Sequence, residues 1–279
     1  MSEAVLIVGA TRGLGAALAR QYRAADRDAL IVGTTRDTKA PPADETLDTT
    51  DWLTGIDLMD PNVGATLADQ LASRISSKGL NKDGARSLKT LIITAGYFGK
   101  EEFGSEDHPP DWQKEQRMYT TSAIAPVIII NELVKRRCFV TSSSIPKIVL
   151  VSSESGSIGL RHPTEGGGNY GHHGSKAALN MAGKLLSMDL ERHGIVVSIV
   201  HPGFMRTDMT KSVGFDQFWD SGHAVTPGEA AESLVKWIDG LKTEHSGQFW
   251  APRGSRDIGT APYVLGDNKV GEGPLQLPW

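Results

Sequence analysis

A glycine-rich turn near the amino end has the composition of a phosphate-binding site. The segment Gly9–Gly15 contains three glycines, follows the apolar run 4–8 directly, and precedes the good helix formers of residues 16–19. Glycines permit positive φ and close backbone approach, and a helix N-terminus presents unpaired N–H groups and the positive end of its dipole to an anion. A strand, a glycine turn and a helix start therefore predict a pyrophosphate site; the alternative is a tight turn with no ligand. The residues expected to form the site are Gly9, Thr11, Arg12, Gly13, Leu14 and Gly15.

Two arginines indicate which dinucleotide this turn would bind. The second apolar run, 29–33, ends in two threonines and Arg36, with no acidic residue where a free ribose 2′-hydroxyl usually meets one. Arg36 and Arg12 could both reach a 2′-phosphate, for which a guanidinium group is well shaped. The sequence therefore favours NADP over NAD. Two alternatives stay open: both arginines are solvated surface charges, or Asp37 binds the ribose.

Short apolar runs rich in β-branched residues alternate with longer segments of helical periodicity along the whole chain. The predicted strands cover residues 4–9, 29–33, 53–57, 88–94, 147–152, 195–200 and 247–250. The predicted helices cover residues 14–25, 61–77, 111–137, 172–193 and 227–241, and the predicted loops cover 37–51, 142–146 and 252–279. This alternation predicts an α/β fold with a Rossmann-type doubly wound, seven-stranded, mainly parallel sheet flanked by helices. No segment looks like a linker, so residues 1–279 are expected to form a single dinucleotide-binding domain.

Composition and charge exclude several classes of protein. The 279 residues are 39% hydrophobic and 22% charged, as in an ordinary globular protein, which excludes a fibrous or disordered chain. A net charge of −4 provides no basic field for nucleic acid or an anionic membrane, so a small molecule is the expected partner. Cys138 is the only cysteine, and no membrane span or signal-peptide pattern is present, so a cytoplasmic location is expected. His172 and His173 are adjacent and cannot converge on one ion, so no metal site is expected.

Six segments resemble the motifs of single-domain short-chain dehydrogenases/reductases, and the resemblance extends over nearly the whole chain. They are Gly9–Gly15, Asp57-Leu58, Thr94-Ala95-Gly96, Val151-Ser152-Ser153, Ser175–Leu179 and His201–Thr207. Each falls at the carboxyl end of a predicted strand or at a helix start, where ligands bind in such sheets. The resemblance implies that Asp57 and Leu58 contact the adenine and that Lys176 holds the nicotinamide ribose. It also implies that Ala95 and Gly96 line the cofactor cleft and that the nicotinamide and pyrophosphate end is contacted by Pro202, Gly203 and Thr207. Thr94 and Phe204, which lie within the same two motifs, complete the predicted cofactor site.

The catalytic residues implied by this resemblance are only partly present. Members of the family use a tyrosine as proton donor, a lysine four residues later, a serine and an asparagine. Ser153 and Lys176 match the serine and the lysine, but His172 stands at the tyrosine position and Ser122 at the asparagine position. Tyr170, two residues before His172, is a second candidate for the missing phenol. These five residues are the predicted catalytic group.

The spacing of His172 and Lys176 predicts the protonation state of the imidazole. Positions i and i+4 share a helix face, and a neighbouring cation together with partial burial disfavours imidazolium. The pKa of His172 is therefore expected below its ordinary value of about 6.5. A neutral imidazole still donates one hydrogen bond, but it is a poor proton source.

Three interpretations of this altered site stay open. In the first, His172 acts beside Ser153 as acid or hydrogen-bond donor in an NADPH-dependent reductase of a carbonyl or conjugated substrate. In the second, the glycines at 166–168 let Tyr170 enter the site. In the third, hydride transfer is lost, and the fold serves a non-redox isomerase, dehydratase or cyclase, or a ligand-binding scaffold.

Two further regions complete the prediction. Residues 205–222 lie where the family carries its substrate lid, and their aromatic side chains are suited to an apolar pocket. Residues 252–279 form a carboxyl-terminal tail that is expected to dock on the body of the protein. Family members assemble through the two long helices, here 111–137 and 172–193, so a homodimer or homotetramer is expected by resemblance.

Overall fold

The computed structural model describes residues 4–26, 29–41, 50–77, 88–139, 144–266, 271 and 273–279. Its strands are β1 (Ala4–Val8), β2 (Leu30–Thr34), β3 (Asp51–Leu53), β4 (Leu88–Ile93), β5 (Lys147–Val151), β6 (Val196–Val200), β7 (Gln248–Ala251) and β8 (Leu275–Gln276). Its α-helices are α1 (Gly13–Ala25), α2 (Val63–Ser77), α3 (Trp112–Tyr119), α4 (Ala125–Lys135), α5 (Tyr170–Glu191), α6 (Asp208–Ser212), α7 (Pro227–Asp239) and α8 (Ala261–Leu265). None of the helices in these ranges has both the length and the apolar character needed to cross a bilayer.

The strands form one sheet whose order creates a crevice beside β1. That order is β3-β2-β1-β4-β5-β6-β7-β8, with the first seven strands parallel and β8 antiparallel to β7. The chain builds outward from β1 to β3 and then continues from β4 on the other side, so the direction switches between β1 and β4. Ligands in such sheets bind at the carboxyl ends of the strands at this switch, which is where the glycine turn begins.

Helices cover both faces of the sheet because its central strands are apolar on both sides. Every residue of β1, β5 and β6 is buried, as expected for parallel strands between two helical layers. On one face, Leu67 of α2, Ile129 of α4 and Leu179 of α5 enter the core. On the other face, Leu18 of α1 and Leu234 of α7 do so. The predicted doubly wound, mainly parallel α/β fold is therefore confirmed.

Two details of the sheet differ from the prediction. Eight strands form it rather than seven, because Leu275–Gln276 in the tail predicted as a loop pairs with β7. The same tail contains the short helix α8. The third strand ends at Leu53 instead of spanning 53–57, since Gly55 adopts φ +68° and turns the chain out of the sheet. Parts of all three predicted loops, residues 42–49, 142–143, 267–270 and 272, lie outside the described residues.

The helix predicted over 111–137 is interrupted by a π-helical turn at Thr120–Ile124, which separates α3 from α4. Pro126, near the start of α4, has no N–H to donate to the carbonyl group of Ser122, four residues earlier. A widened turn accommodates the missing hydrogen bond, and such turns are frequent at functional sites. Residues 112–119 are mostly polar and residues 125–134 mostly apolar, but no glycine separates them, so one continuous helix was predicted.

Candidate active site

The turn Gly9–Gly15 leads from β1 into α1 and leaves backbone N–H groups available at the crevice. Gly9 and Gly13 have φ of +91° and +54°, in the region that favours glycine. A Cβ on Gly15 would lie 2.0 Å from the carbonyl oxygen of Gly9, so the turn has no space for a side chain there. Arg12 precedes α1 in an extended conformation and makes no side-chain cap. The first N–H groups of α1 can therefore bind phosphate oxygens, and the turn fits a pyrophosphate.

Two threonine hydroxyls fix this turn to its neighbouring strands. The N–H of Gly9 donates to Oγ1 of Thr34, at the end of β2, over 2.9 Å. After β4, Oγ1 of Thr94 lies 3.0 Å from the carbonyl oxygen of Val8 and 3.1 Å from that of Gly9, so its proton is shared between them. Thr94 thus holds the end of β4 beside the glycine turn.

A cleft of about 1130 Å³ runs along the carboxyl ends of the central strands. All of the predicted cofactor residues line it, together with three of the predicted catalytic residues. They are Gly9, Thr11, Arg12, Gly13, Leu14, Gly15, Arg36, Asp57, Leu58, Thr94, Ala95, Gly96, Ser153, His172, Lys176, Pro202, Gly203, Phe204 and Thr207. The side chains of Arg12 and Arg36 are exposed on this cleft, and Asp37 lies beside them on its lining.

His172 lines the cleft from the first turn of α5. Its ring stacks on Phe98, with the ring centroids 4.0 Å apart and the planes inclined by 20°. Its Nδ1 is buried and has no hydrogen-bond partner among the described residues. Burial, followed by the charge of Lys176, lowers the pKa of His172 well below its ordinary value. The imidazole is therefore neutral at pH 7.

Lys176, one turn further along α5, links this helix to the end of β5. Its Nζ donates to the carbonyl oxygen of Val151 at 2.9 Å, and the residue is 8% exposed. Burial lowers the pKa of Lys176 to about 8. Ser153 follows two residues after Val151 and begins a short 3₁₀ helix, where its Oγ accepts the N–H of Ser155 at 3.2 Å and lies 3.1 Å from the hydroxyl of Ser155. The lysine is thus anchored beside the segment that carries Ser153.

Two of the predicted catalytic residues are not among those that line the cleft. Ser122 is 1% exposed and lies behind Gly96: its Oγ is 3.5 Å from the position that a Cβ of Gly96 would take. That Oγ has no hydrogen-bond partner among the described residues. Tyr170 is the first residue of α5, which begins two residues earlier than predicted, and it is 42% exposed. Residues two positions apart on a helix differ by about 200° in direction, so Tyr170 does not face the cleft when His172 does.

Aromatic residues that were not predicted as part of the site form a wall of the cleft next to His172. Tyr97 and Phe98 line the cleft directly after the Thr-Ala-Gly motif, and the guanidinium group of Arg117 lies 4.3 Å from the centroid of the Tyr97 ring. Phe215, from the predicted lid, packs edge-on against Phe98 at 5.6 Å. The available signal was the aromatic pair after the motif, but its partner on α5 could not be inferred from spacing.

The residues that line the cleft also include a buried histidine beside an aspartate. His201 is 4% exposed, its Nδ1 accepts the N–H of Glu154 at 3.1 Å, and its Nε2 lies 3.9 Å from Oδ2 of Asp257. The Asp257 carboxylate also accepts the N–H of Phe204, so it holds the chain that follows β6. Within the described ranges, no three His, Cys, Asp or Glu side chains come together as a metal ion would require.

Comparison with known proteins places this fold and cleft in a family. Residues 3–217 match the family model of short chain dehydrogenases. The 1-hydroxy-2-glutathionyl-2-methyl-3-butene dehydrogenase of Rhodococcus sp. (strain AD45) is 29% identical over 248 residues, which cover 88% of this chain and 94% of that protein. An NADPH-bound carbonyl reductase from chicken fatty liver is 25% identical with a TM-score of 0.72, over 90% of this chain and 96% of that one. An oxidoreductase from Brucella ovis with a partially ordered NAD shares the fold, at 20% identity and a TM-score of 0.62, over 89% of this chain and 98% of that one. Since the family match extends over most of the chain and includes the glycine turn, this protein belongs to the short chain dehydrogenase family.

Proposed function

We propose that the protein is an NADPH-dependent reductase of a carbonyl or conjugated small molecule, with His172 acting where relatives use a phenol. The observation that carries this proposal is the position of His172 on the cleft, four residues before Lys176 and stacked on Phe98. Family membership supports an oxidoreductase, and related structures hold NADPH or NAD. The glycine turn, in which Gly15 has no space for a side chain, fits the pyrophosphate of either dinucleotide.

Two exposed arginines support the phosphorylated cofactor. Arg12 and Arg36 both line the cleft that contains the glycine turn, and guanidinium groups bind phosphate through charge-assisted hydrogen bonds. Asp37 lines the same cleft and is the group that would instead favour NAD. Lys176 is proposed to hold the nicotinamide ribose.

The ring nitrogens of His172 have different surroundings, which assigns the proton of the neutral imidazole. An N–H at the buried, unpartnered Nδ1 would be an unsatisfied donor, so the proton belongs on Nε2. Nε2–H can then donate a hydrogen bond to the substrate oxygen, where negative charge develops during reduction. NADPH, when bound, supplies the hydride.

This protonation state determines which acceptors should react best. A neutral imidazole is a weak acid, so the proton that completes the product comes from water rather than from His172. Quinones and enones give delocalised anions that need no immediate proton, whereas a plain ketone gives a strongly basic alkoxide. The rings of Tyr97 and Phe98 also provide flat apolar surfaces for a conjugated substrate. We therefore expect quinones and enones to be reduced faster than plain ketones.

The test follows NADPH and NADH fluorescence with a 1,4-quinone, an enone and an aryl ketone, in the wild type, His172→Phe and His172→Tyr. We expect His172→Phe to lose most turnover and His172→Tyr to gain reduction of the aryl ketone. Incubation with NADP⁺ and alcohols tests the reverse direction, since the Rhodococcus relative is named as a dehydrogenase. Binding of NADPH with no turnover in either direction would favour the non-redox alternative. No binding of either dinucleotide would exclude the reductase.

We further propose that the protein is a homodimer or homotetramer. Three large apolar residues of α5, Met181, Leu185 and Met188, are exposed at a spacing that places them on one helix face. Ile124 and Ile128, before and on α4, are also exposed. Exposed apolar groups of this size on adjoining helices are typical of association surfaces. Light scattering should give an oligomer mass, and Leu185→Lys should shift it toward the monomer.

A further inference from the structure

A fully buried carboxylate connects the loop after β4 to the start of α5. Glu101 is 0% exposed and lies three residues after Phe98. Its Oε2 accepts the N–H of Gly171 at 2.7 Å. Its carbonyl oxygen accepts the N–H of Asn169 at 2.8 Å, and its own N–H donates to Oδ1 of Asn169 at 3.2 Å. Three hydrogen bonds therefore connect one loop residue to the start of α5, the helix that carries His172.

The start of α5 depends on this contact because the helix has no cap of its own. Asn169, the residue before the helix, has φ +50°, and its side chain makes no hydrogen bond to the helix N–H groups. The Glu101 carboxylate takes this role: it satisfies one of the first N–H groups and places negative charge at the positive end of a 22-residue helix. The same interactions offset the cost of burying the carboxylate.

The junction around Glu101 has little spare volume. A Cβ on Gly171 would lie 2.3 Å from Cε of Met118 on α3 and 3.2 Å from Oε2 of Glu101. The loop is also held from α3, since Sδ of Met118 accepts the N–H of Gly99 at 3.4 Å. Glu115, which like Met118 belongs to α3, also lies near Glu101, and burial together with the charge of Glu101 raises the pKa of the Glu115 carboxyl group. Movement of Glu101 would therefore change how the loop and both helices meet.

The hydrogen bond between Glu101 and Gly171 is close in sequence to both rings stacked at the cleft. Phe98 lies three residues before Glu101 in the loop, and His172 directly follows Gly171 in α5. We propose that Glu101 is a positioning residue for His172, because its carboxylate holds the start of α5 against the loop and so fixes the imidazole on Phe98. Glu101 is not among the residues that line the cleft, so it acts through His172 rather than on the substrate. The kinetic consequence rests on the proposed function, whereas the positional consequence does not.

The test compares Glu101→Ala and Glu101→Gln with Leu71→Ala, a control that removes a buried side chain of α2 outside the cleft lining. Three quantities are measured: the NMR resonances of the His172 ring, the Kd of NADPH, and kcat per NADPH-binding site. The His172 resonances report its position because the ring current of Phe98 shifts them. Glu101→Ala should move the His172 resonances toward those of a Phe98→Leu protein and lower kcat by about 10²-fold, with the Kd of NADPH little changed. Glu101→Gln should keep the His172 resonances and kcat close to those of the wild type, because its amide oxygen still accepts the Gly171 N–H.

The control separates positioning from a general loss of stability. Leu71→Ala should lower Tm without changing the His172 resonances or kcat per site. If Glu101→Ala lowers Tm in the same way and leaves the His172 resonances and kcat per site unchanged, the carboxylate is only structural and the proposal is overturned. Should Glu101→Ala fail to fold, Glu101→Asp, which is one methylene shorter, provides the same readouts. A protein that turns over no substrate contradicts the proposed function, and the NMR comparison still decides the position of His172.

Discussion

His172 and Phe98 stack nearly face to face, with their ring centroids 4.0 Å apart. Phe98 comes from the loop after β4 and His172 from α5, so the stack joins two distant parts of the chain. One face of the imidazole is thus covered by an aromatic ring rather than by water. This contributes to the burial that lowers the pKa of His172 and leaves the cleft-facing part of the ring for a substrate.

Opening this stack should raise the pKa of His172. In Phe98→Ala, water reaches the exposed ring face and stabilises imidazolium, so the pKa moves up toward the ordinary value of about 6.5. It should remain below that value because the Lys176 charge persists. An NMR titration of the His172 ring measures the change, with exposed His193 as the reference resonance. An unchanged midpoint would contradict the assignment of the shift to burial by Phe98.

Stability should fall as the pH is lowered through about 6.5. Burial lowers the folded-state pKa of both His172 and His173, so the unfolded chain binds protons at a pH where the folded chain does not. Each such histidine contributes a slope of up to about 1.4 kcal/mol per pH unit in that window. Urea unfolding at several pH values should give a shallower slope for His172→Phe than for the wild type. Equal slopes would show that His172 does not titrate differently in the two states.

The sequence was most informative where function depends on a local motif. The glycine turn could be predicted because three glycines, a strand and a helix start are adjacent in the chain, and Gly15 shows how little space that turn has. The other cleft residues were implied by the family resemblance, whose motifs fall at the carboxyl ends of parallel strands or at helix starts, where ligands bind. Lys176 and His172 were assigned from the family resemblance, and their i and i+4 spacing then placed both on one helix face.

Long-range contacts could not be predicted in this way. The partner of His172 lies in a loop with no diagnostic motif, so neither Phe98 nor Glu101 could be assigned before the fold brought them to α5. Tyr170 stayed a candidate because the start of α5 was uncertain by a few residues, and the direction of a side chain depends on that start. The eighth strand was missed because a two-residue strand has no periodicity to detect.

Binding of NADPH should weaken as the pH rises through about 8. Burial lowers the pKa of Lys176 to about 8, so above this pH the ammonium group proposed to hold the ribose becomes a neutral amine. Loss of a charged hydrogen bond costs about 1.5–3 kcal/mol, or roughly 10- to 100-fold in Kd. Fluorescence titrations at several pH values should show the break in the wild type. Lys176→Met should bind weakly at every pH with no break, and a flat wild-type profile would contradict the role of Lys176.

Removing either cofactor-side arginine should weaken NADPH selectively. Arg12→Ala and Arg36→Ala each delete a guanidinium group proposed to bind the 2′-phosphate, so the Kd of NADPH should rise by about tenfold or more, while that of NADH stays unchanged. Arg192→Ala, at the exposed end of α5, is the matched control for lost surface charge. If Asp37→Asn weakens NADH, and the arginine variants bind NADPH normally, the cofactor preference is the reverse of the one proposed.

Alanine at two glycines of the turn should give opposite outcomes. The Cβ of Gly15→Ala would lie 2.0 Å from the Gly9 carbonyl oxygen and 2.9 Å from Oγ1 of Thr94, and the first of these atoms belongs to the backbone that forms the turn. The turn must therefore open, so NADPH binding should be lost and Tm should fall. At Gly13, by contrast, the nearest atom to a new Cβ is Cγ2 of Thr207, at 3.8 Å.

Gly13→Ala should therefore cost only the strain of its φ of +54°, about 1–2 kcal/mol, and NADPH binding should change by a few-fold. Thermal unfolding and NADPH fluorescence measure both variants. Because the two glycines occupy the same turn, a general sensitivity of this segment would affect them alike. Equal losses of NADPH binding in the two variants would show that the close approach of Gly15 to Gly9 does not determine the shape of the phosphate site.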